Sequence, residues 1–139
     1  VDEACQTQIA GIFACGNVLQ VHDLVDYVSG EAERAGLGAA AYLAGRAGRG
    51  TIVAVRPGFG VRYVLPQHVH TDAQEDVSLF LRVTQPFGAV RYTVKSGDTV
   101  LATAGRFRAA PGEMEKLTVK AELLHTVTQD ITVSLEVEA

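Results

Sequence analysis

Apolar positions along this chain repeat with two different periods, and the change falls near Thr51. Before it, Leu24, Val25, Val28, Ala32, Ala35, Ala39, Tyr42 and Leu43 recur at helical spacing and predict one helix over 24–47 with a single apolar stripe. Asp23 is placed to cap that helix, and Asp26 brings an acid into its first turn. Gly36 and Gly38 interrupt the stripe, each costing roughly 1 kcal/mol against alanine. Either they let a neighbouring backbone pack close or the helix breaks there. Arg46 and Arg49 suit the C-terminal end, and Gly45, Gly48 and Gly50 mark its stop and the start of a linker. Ahead of the helix, Ile12-Phe13-Ala14-Cys15 runs into Gly16-Asn17, the pattern of a short buried strand ending at a glycine turn.

From Thr51 onward the pattern is that of strands separated by turn residues. Residues 51–55 and 60–65 flank Arg56-Pro57-Gly58-Phe59, which predicts a hairpin. Residues 77–83 alternate Val77, Leu79, Leu81 and Val83 against Ser78, Phe80 and Arg82. Residues 89–95 and 99–104 surround Ser96-Gly97-Asp98, a tight hairpin, with 106–109 as a continuation past a bulge at Gly105. Residues 115–123 and 126–138 supply the last two strands. Short strands at about ten-residue spacing predict a mainly β fold, an immunoglobulin-like β-sandwich preceded by a strand and a long helix. The Cys-Trp-Cys signature of true immunoglobulin domains is missing, since the chain has no tryptophan.

Charge removes one class of function. The formal net charge of −4 leaves no basic face for nucleic acid. No apolar run approaches the roughly 20 residues that span a bilayer, and no charged-then-apolar leader signals secretion. Cys5 and Cys15 form no Cys-x-x-Cys pair and read as reduced thiols of a cytoplasmic protein, Cys15 as a small core residue and Cys5 in a polar approach.

Thr7–Asn17, Thr-Gln-Ile-Ala-Gly-Ile-Phe-Ala-Cys-Gly-Asn, resembles the second flavin-binding segment of the pyridine nucleotide-disulfide oxidoreductase family, Thr-x-x-x-Gly-Ile-Phe-Ala-x-Gly-Asp. The likeness covers roughly the first 45 residues and departs at Asn17, where the family has Asp. It implies that residues 1–50 belong to an α/β FAD-binding domain and that residues 51–139 form an added β-sandwich. The implied parent is an FAD-dependent oxidoreductase, like the dehydrogenases loosely named after sarcosine oxidase or thioredoxin reductase, using NAD(P)H and an unknown acceptor. No Gly-x-Gly-x-x-Gly turn precedes Thr7, and Gly45, Gly48 and Gly50 follow a helix instead of opening one. The chain therefore reads as the C-terminal fragment of such a flavoprotein, inactive by itself.

By the resemblance, Gly16 lets the backbone approach the cofactor, and Asn17 meets a ribityl hydroxyl through its amide, without the charge of Asp. Val21, His22 and Asp23 would then lie by the isoalloxazine, where backbone N–H groups and a helix start stabilise negative charge. Each residue also has a plain reading: Asn17 as a turn former, His22 as a helix-entry residue and Asp23 as its cap. No catalytic residue is read from the chain. His68-Val69-His70 with Asp72 allows a metal site in an extended strand, but a polar loop is the default and no metal is assigned. A competing reading makes the chain a non-catalytic docking module. Its apolar helix would find cover in a homodimer with exchanged or mutually buried helices.

Overall fold

The computed structural model describes residues 1–138, and the chain is mainly β with two sheets. Its helix α1 spans Val25–Leu43, and the strands are β1 Ile52–Pro57, β2 Val61–Leu65, β3 His68–His70, β4 Val77–Val83, β5 Val90–Ser96, β6 Thr99–Arg106, β7 Glu115–Val119 and β8 Ile131–Val137. A short helix α2, Ala121–Leu124, follows β7. One sheet has the order β3-β1-β8-β5-β6 and the other β2-β4-β7. All pairs are antiparallel except β1 with β8, which run parallel. Buried residues of both sheets join in one core cluster, among them Val53, Val64, Leu79, Leu81, Tyr92 and Leu135. The alternation along β4 places Leu79, Leu81 and Val83 in that core, as its period of two requires. Among the described residues no helix is long and apolar enough to cross a membrane.

The hairpin expected between β1 and β2 is not formed. Both edges of β1 are filled, one by β3 and one by β8, so β2 has no free edge there and pairs with β4 instead. The connection crosses over β8: Gly58 N–H donates to Val133 O at 2.7 Å, and Leu135 N–H donates to Phe59 O at 3.0 Å. The hairpin of β5 with β6 does form, with Ser96 opposite Thr99, and its register shift falls at Val94/Lys95 and not at Gly105. Beyond β6 only an isolated bridge, Phe87 with Ala109, remains of the expected continuation. The strand read over 115–123 stops at Val119, and the next residues coil into α2, which buries Leu124. The segment read as a polar loop contains β3, whose Val69 is fully buried.

Residues ahead of α1 also depart from expectation. Ile12–Cys15 is not a strand, because no neighbouring strand offers it a ladder. Phe13 pairs only with Gln6, within a small loop closed by Thr7 N–H to Ile12 O at 2.7 Å and Ala14 N–H to Cys5 O at 2.9 Å. Cys5 is the buried thiol and Cys15 the half-buried one, the reverse of the sequence reading; burial pushes the Cys5 thiol up to about 11. α1 runs unbroken through Gly36 and Gly38. A Cβ at Gly38 would sit 2.4 Å from Ala4 O, so the helix meets the loop backbone there at a distance only glycine allows. Past the Ala44 cap, Gly45 takes φ +67, its N–H bonds Tyr42 O and the N–H of Arg46 bonds Ala41 O. These are the two bonds of a Schellman stop.

The face of α1 that turns inward keeps only part of the expected stripe, with Ala35 buried and Val28 and Ala39 half-buried. Only Glu31 and Ala35 are buried, whereas Leu24, Val25 and Leu43 are exposed. Further along the same line Tyr42 stacks edge-on against Phe13. Polar and aromatic ties hold the N-terminal fifty residues to the sheets: Gln67 N–H to Val1 O at 3.0 Å, Arg49 N–H to Asp72 Oδ2 at 3.0 Å, and the Arg34 guanidinium 5.6 Å over the Phe80 ring.

One core position carries an unmet polar atom. Tyr92 is fully buried, its hydroxyl has no hydrogen-bond partner, and burial pushes its phenol up to about 12. Tyr92→Phe removes the stranded hydroxyl and keeps the ring, so the variant is expected to gain about 1 kcal/mol. Urea denaturation checks this; a loss of stability would mean that the hydroxyl is satisfied in solution.

Candidate functional site

The segment between Cys15 and Leu24 is organised by one buried carboxylate. Gly16 opens a single 3-10 turn, Gly16–Val18, with φ +72, and its N–H donates to Glu31 Oε1 at 2.6 Å. The Gln20 amide donates to Glu31 Oε2 at 3.1 Å, and His22 Nε2 lies 3.1 Å from the same oxygen, off the line of a hydrogen bond. Glu31 is 3 % exposed, so these donors take the place that water would fill. Helix geometry delivers it: Glu31 and Ala35 share the inward face at i, i+4, and the loop amides fold down onto the first of them.

A second set of bonds continues from this centre into the sheets. Tyr63 Oη meets Gln20 Oε1 at 3.3 Å, and Arg82 Nε donates to Tyr63 Oη at 3.1 Å. The Arg82 guanidinium also donates to Val21 O at 2.8 Å and pairs with Asp23 Oδ1. Met114 N–H donates to Asp23 Oδ2 at 2.6 Å. Burial works to raise the Asp23 carboxyl, but the Met114 N–H and Arg82 outweigh it and hold it below its ordinary 3.8. Asp23 therefore does not cap α1: Leu24 occupies the cap position without a side-chain bond, and the carboxylate is spent on β4 and on the loop before β7.

Gly16 and His22 thus converge on Glu31, while Val21 and Asp23 converge on Arg82. Asn17 stands apart, with its side chain exposed to solvent. An added Cβ at Gly16 would meet nothing within 4 Å, so the turn faces open space. The imidazole of His22 is buried and turned toward Glu31, leaving only its backbone on the outer side. Among the described residues no acceptor meets the backbone N–H groups of Val21, His22 and Asp23. A groove of about 440 Å³ adjoins the segment, lined by Leu19, Gln20, Val21, Val55, Tyr63 and Arg82 among others. Of the five residues singled out by sequence only Val21 reaches it.

Glu31, Gln20, Tyr63 and Arg82 were not read from the sequence as residues of this site. Glu31 was legible in principle, as a carboxylate at stripe spacing between Val28 and Ala35. Arg82 and Tyr63 come from strands some 60 and 40 residues away, and no local pattern relates them to His22. The metal constellation read around His68 changes as well. His70 joins Asp2 and Glu3, His68 stays outside that cluster, and the Asp72 carboxylate receives the Arg49 N–H.

Fold and site together define a two-sheet β protein with a helical arm docked on it through a buried polar network. Comparison with models of protein families, with curated proteins and with solved structures finds no match to this chain.

Proposed function

We propose that residues 1–50 are the closing, flavin-positioning segment of an FAD-binding domain and that residues 51–139 are an immunoglobulin-like β-sandwich appended to it. Together they form the C-terminal part of a cytoplasmic FAD-dependent oxidoreductase that takes reducing equivalents from NAD(P)H. The likeness of Thr7–Asn17 to the family's flavin segment supports this reading. The observation that carries it is the outer surface of the same segment. Ile9, Ile12, Val18, Val21, Leu24 and Val25 are all more than half exposed there. Beside them lie the open Gly16 turn, the free Asn17 amide and the unpartnered N–H groups of Val21 to Asp23. A surface that is apolar and yet lined with unused donors suits a flat ring with polar edges. These residues fit the cofactor through backbone at Gly16, Val21, His22 and Asp23 and through the side chain only at Asn17. When bound, FAD supplies hydride and electron transfer. The chain's own part is to place donors at the ring's polar edge, with Glu31 holding the turn and Arg82 holding the Val21 carbonyl.

The natural polypeptide that carries these residues is expected to purify yellow. Replacing Gly16 by Val together with Asn17 by Ala is expected to lower its flavin occupancy at least about tenfold while circular dichroism stays unchanged. A colourless protein, or occupancy indifferent to both changes, overturns the reading. A colourless protein that still self-associates would favour the second one, a homodimerisation or partner-docking module, for which the exposed Leu37 and Leu43 on α1 speak.

A further inference from the structure

Asp2, Glu3 and His70, whose side chains take no part in the Glu31 hydrogen bonds, bring one nitrogen and two oxygens within 4.8 Å of one another. His70 Nδ1 lies 2.9 Å from Glu3 Oε1 and 3.8 Å from Asp2 Oδ2. The remaining oxygens are already committed to backbone. Asp2 Oδ1 accepts the N–H groups of Ala4 and Gln6 at 3.0 and 2.8 Å, and Glu3 Oε2 accepts the His70 N–H at 3.0 Å. Each carboxylate is therefore fixed by one oxygen and aims the other at the same imidazole nitrogen. The Asp2 side chain is only 10 % exposed, yet its Oδ2 accepts no hydrogen bond, since 3.8 Å to Nδ1 is too long for one. Asp2 Oδ2 and Glu3 Oε1 thus stand open toward one ring nitrogen, where a cation that displaces the ring proton would meet all three atoms.

The spacing fits a metal ion. Ligands held about 2.0–2.1 Å from a tetrahedral zinc stand about 3.3 Å from each other. The two distances at His70 fall on either side of that value, within about half an ångström. The ring is held in place from above, where a Cβ on Gly48 would lie 2.8 Å from His70 Cγ. Asp2 and Glu3 line a cleft of about 1140 Å³ between α1 and β4, which gives an ion a way in and room for water as a further ligand. Imidazole with carboxylates suits a first-row transition ion, whereas calcium and magnesium sites are built from oxygen alone.

We propose that Asp2, Glu3 and His70 form a binding site for a divalent transition cation of the zinc class, which ties the start of the chain to β3. The site is independent of the flavin reading. It is tested by titrating the chain, freed of metal by chelator, with Zn²⁺ in a calorimeter and with Co²⁺ in a spectrophotometer. One-to-one saturable binding is expected, with visible Co²⁺ bands of low coordination number. His70→Gln and Asp2→Asn are each expected to weaken it at least about tenfold, since even groups behind a ligand change affinity by that much. His68→Gln, on the same strand but outside the cluster, is expected to leave it unchanged. Circular dichroism of each variant separates lost ligation from lost folding, and Glu3→Gln serves where either variant fails to fold. Absence of saturable binding, binding that survives His70→Gln and Asp2→Asn, or equal loss in His68→Gln would each overturn the site.

Discussion

Replacing Glu31 by alanine is expected to cost about 3 kcal/mol, the largest effect of any polar substitution considered for this chain. Two donors lose their acceptor at once, the Gly16 N–H and the Gln20 amide, and the buried His22 imidazole loses the carboxylate beside it. Each buried donor left without a partner costs about 1–3 kcal/mol, and entry of water into the gap recovers part of the sum. Thermal denaturation reads this as a fall in Tm of about 10 °C, at roughly 3 °C per kcal/mol for a chain of this size. The loss is local first. Amide exchange at Gly16 and Gln20 should accelerate more than exchange in β5 or β8, because the carboxylate holds the loop and not the sheets. Glu31→Gln keeps the shape and one acceptor oxygen and should lose about half as much. A Tm unchanged by Glu31→Ala would show that the carboxylate does not organise the turn.

Gly60→Ala is expected to be nearly as damaging, again about 3 kcal/mol, through steric overlap. Gly60 takes φ +76, where a side chain costs about 1–2 kcal/mol. Its added Cβ would also lie 2.5 Å from Leu135 Cγ. Leu135 cannot yield, because it is 1 % exposed and lies opposite Tyr92 in the ladder of β8 with β5. Overpacking at such a point costs about a further 1–3 kcal/mol. Gly16→Ala is the control: φ is +72 but the space is open, so only the backbone cost of about 1–2 kcal/mol remains. Denaturant midpoints of the two variants separate the contributions. Equal losses would mean that Leu135 relaxes freely.

Gly60 also shows where reading the chain by pattern fails. Arg56-Pro57-Gly58-Phe59 has the composition of a hairpin turn, and composition says that the chain reverses. Which strand then receives β2 depends on which edges are still vacant. β8, some 75 residues later in sequence, had taken the edge of β1. α1 gives the same lesson on a helix. Spacing found the helix and its glycine stop, since both follow from periodicity and from the φ that only glycine adopts cheaply. Spacing put Ala35 on the inward stripe but did not find that Glu31 joins it while Val25 and Leu43 face out, because the orientation of a helix depends on what lies against it. Here that is a loop whose amides needed an acceptor.

From the order of its residues alone the chain determined a helix followed by short strands, the β5–β6 hairpin, the helix stop at Gly45 and the alternating core positions of β4. Each of these is set by contacts among residues within a few positions of one another. The assignment of strands to two sheets, the inward turn of Glu31, the capture of Asp23 by Arg82 and the meeting of Asp2 and Glu3 with His70 were decided only by the tertiary structure. Asp23 and Arg82 are 59 residues apart and Asp2 and His70 are 68 apart, and the Glu31 contacts, which span 9 to 15, depend on a loop folding back. Local propensity acts over a turn or two, whereas a buried charge takes whatever donor the packed chain brings to it.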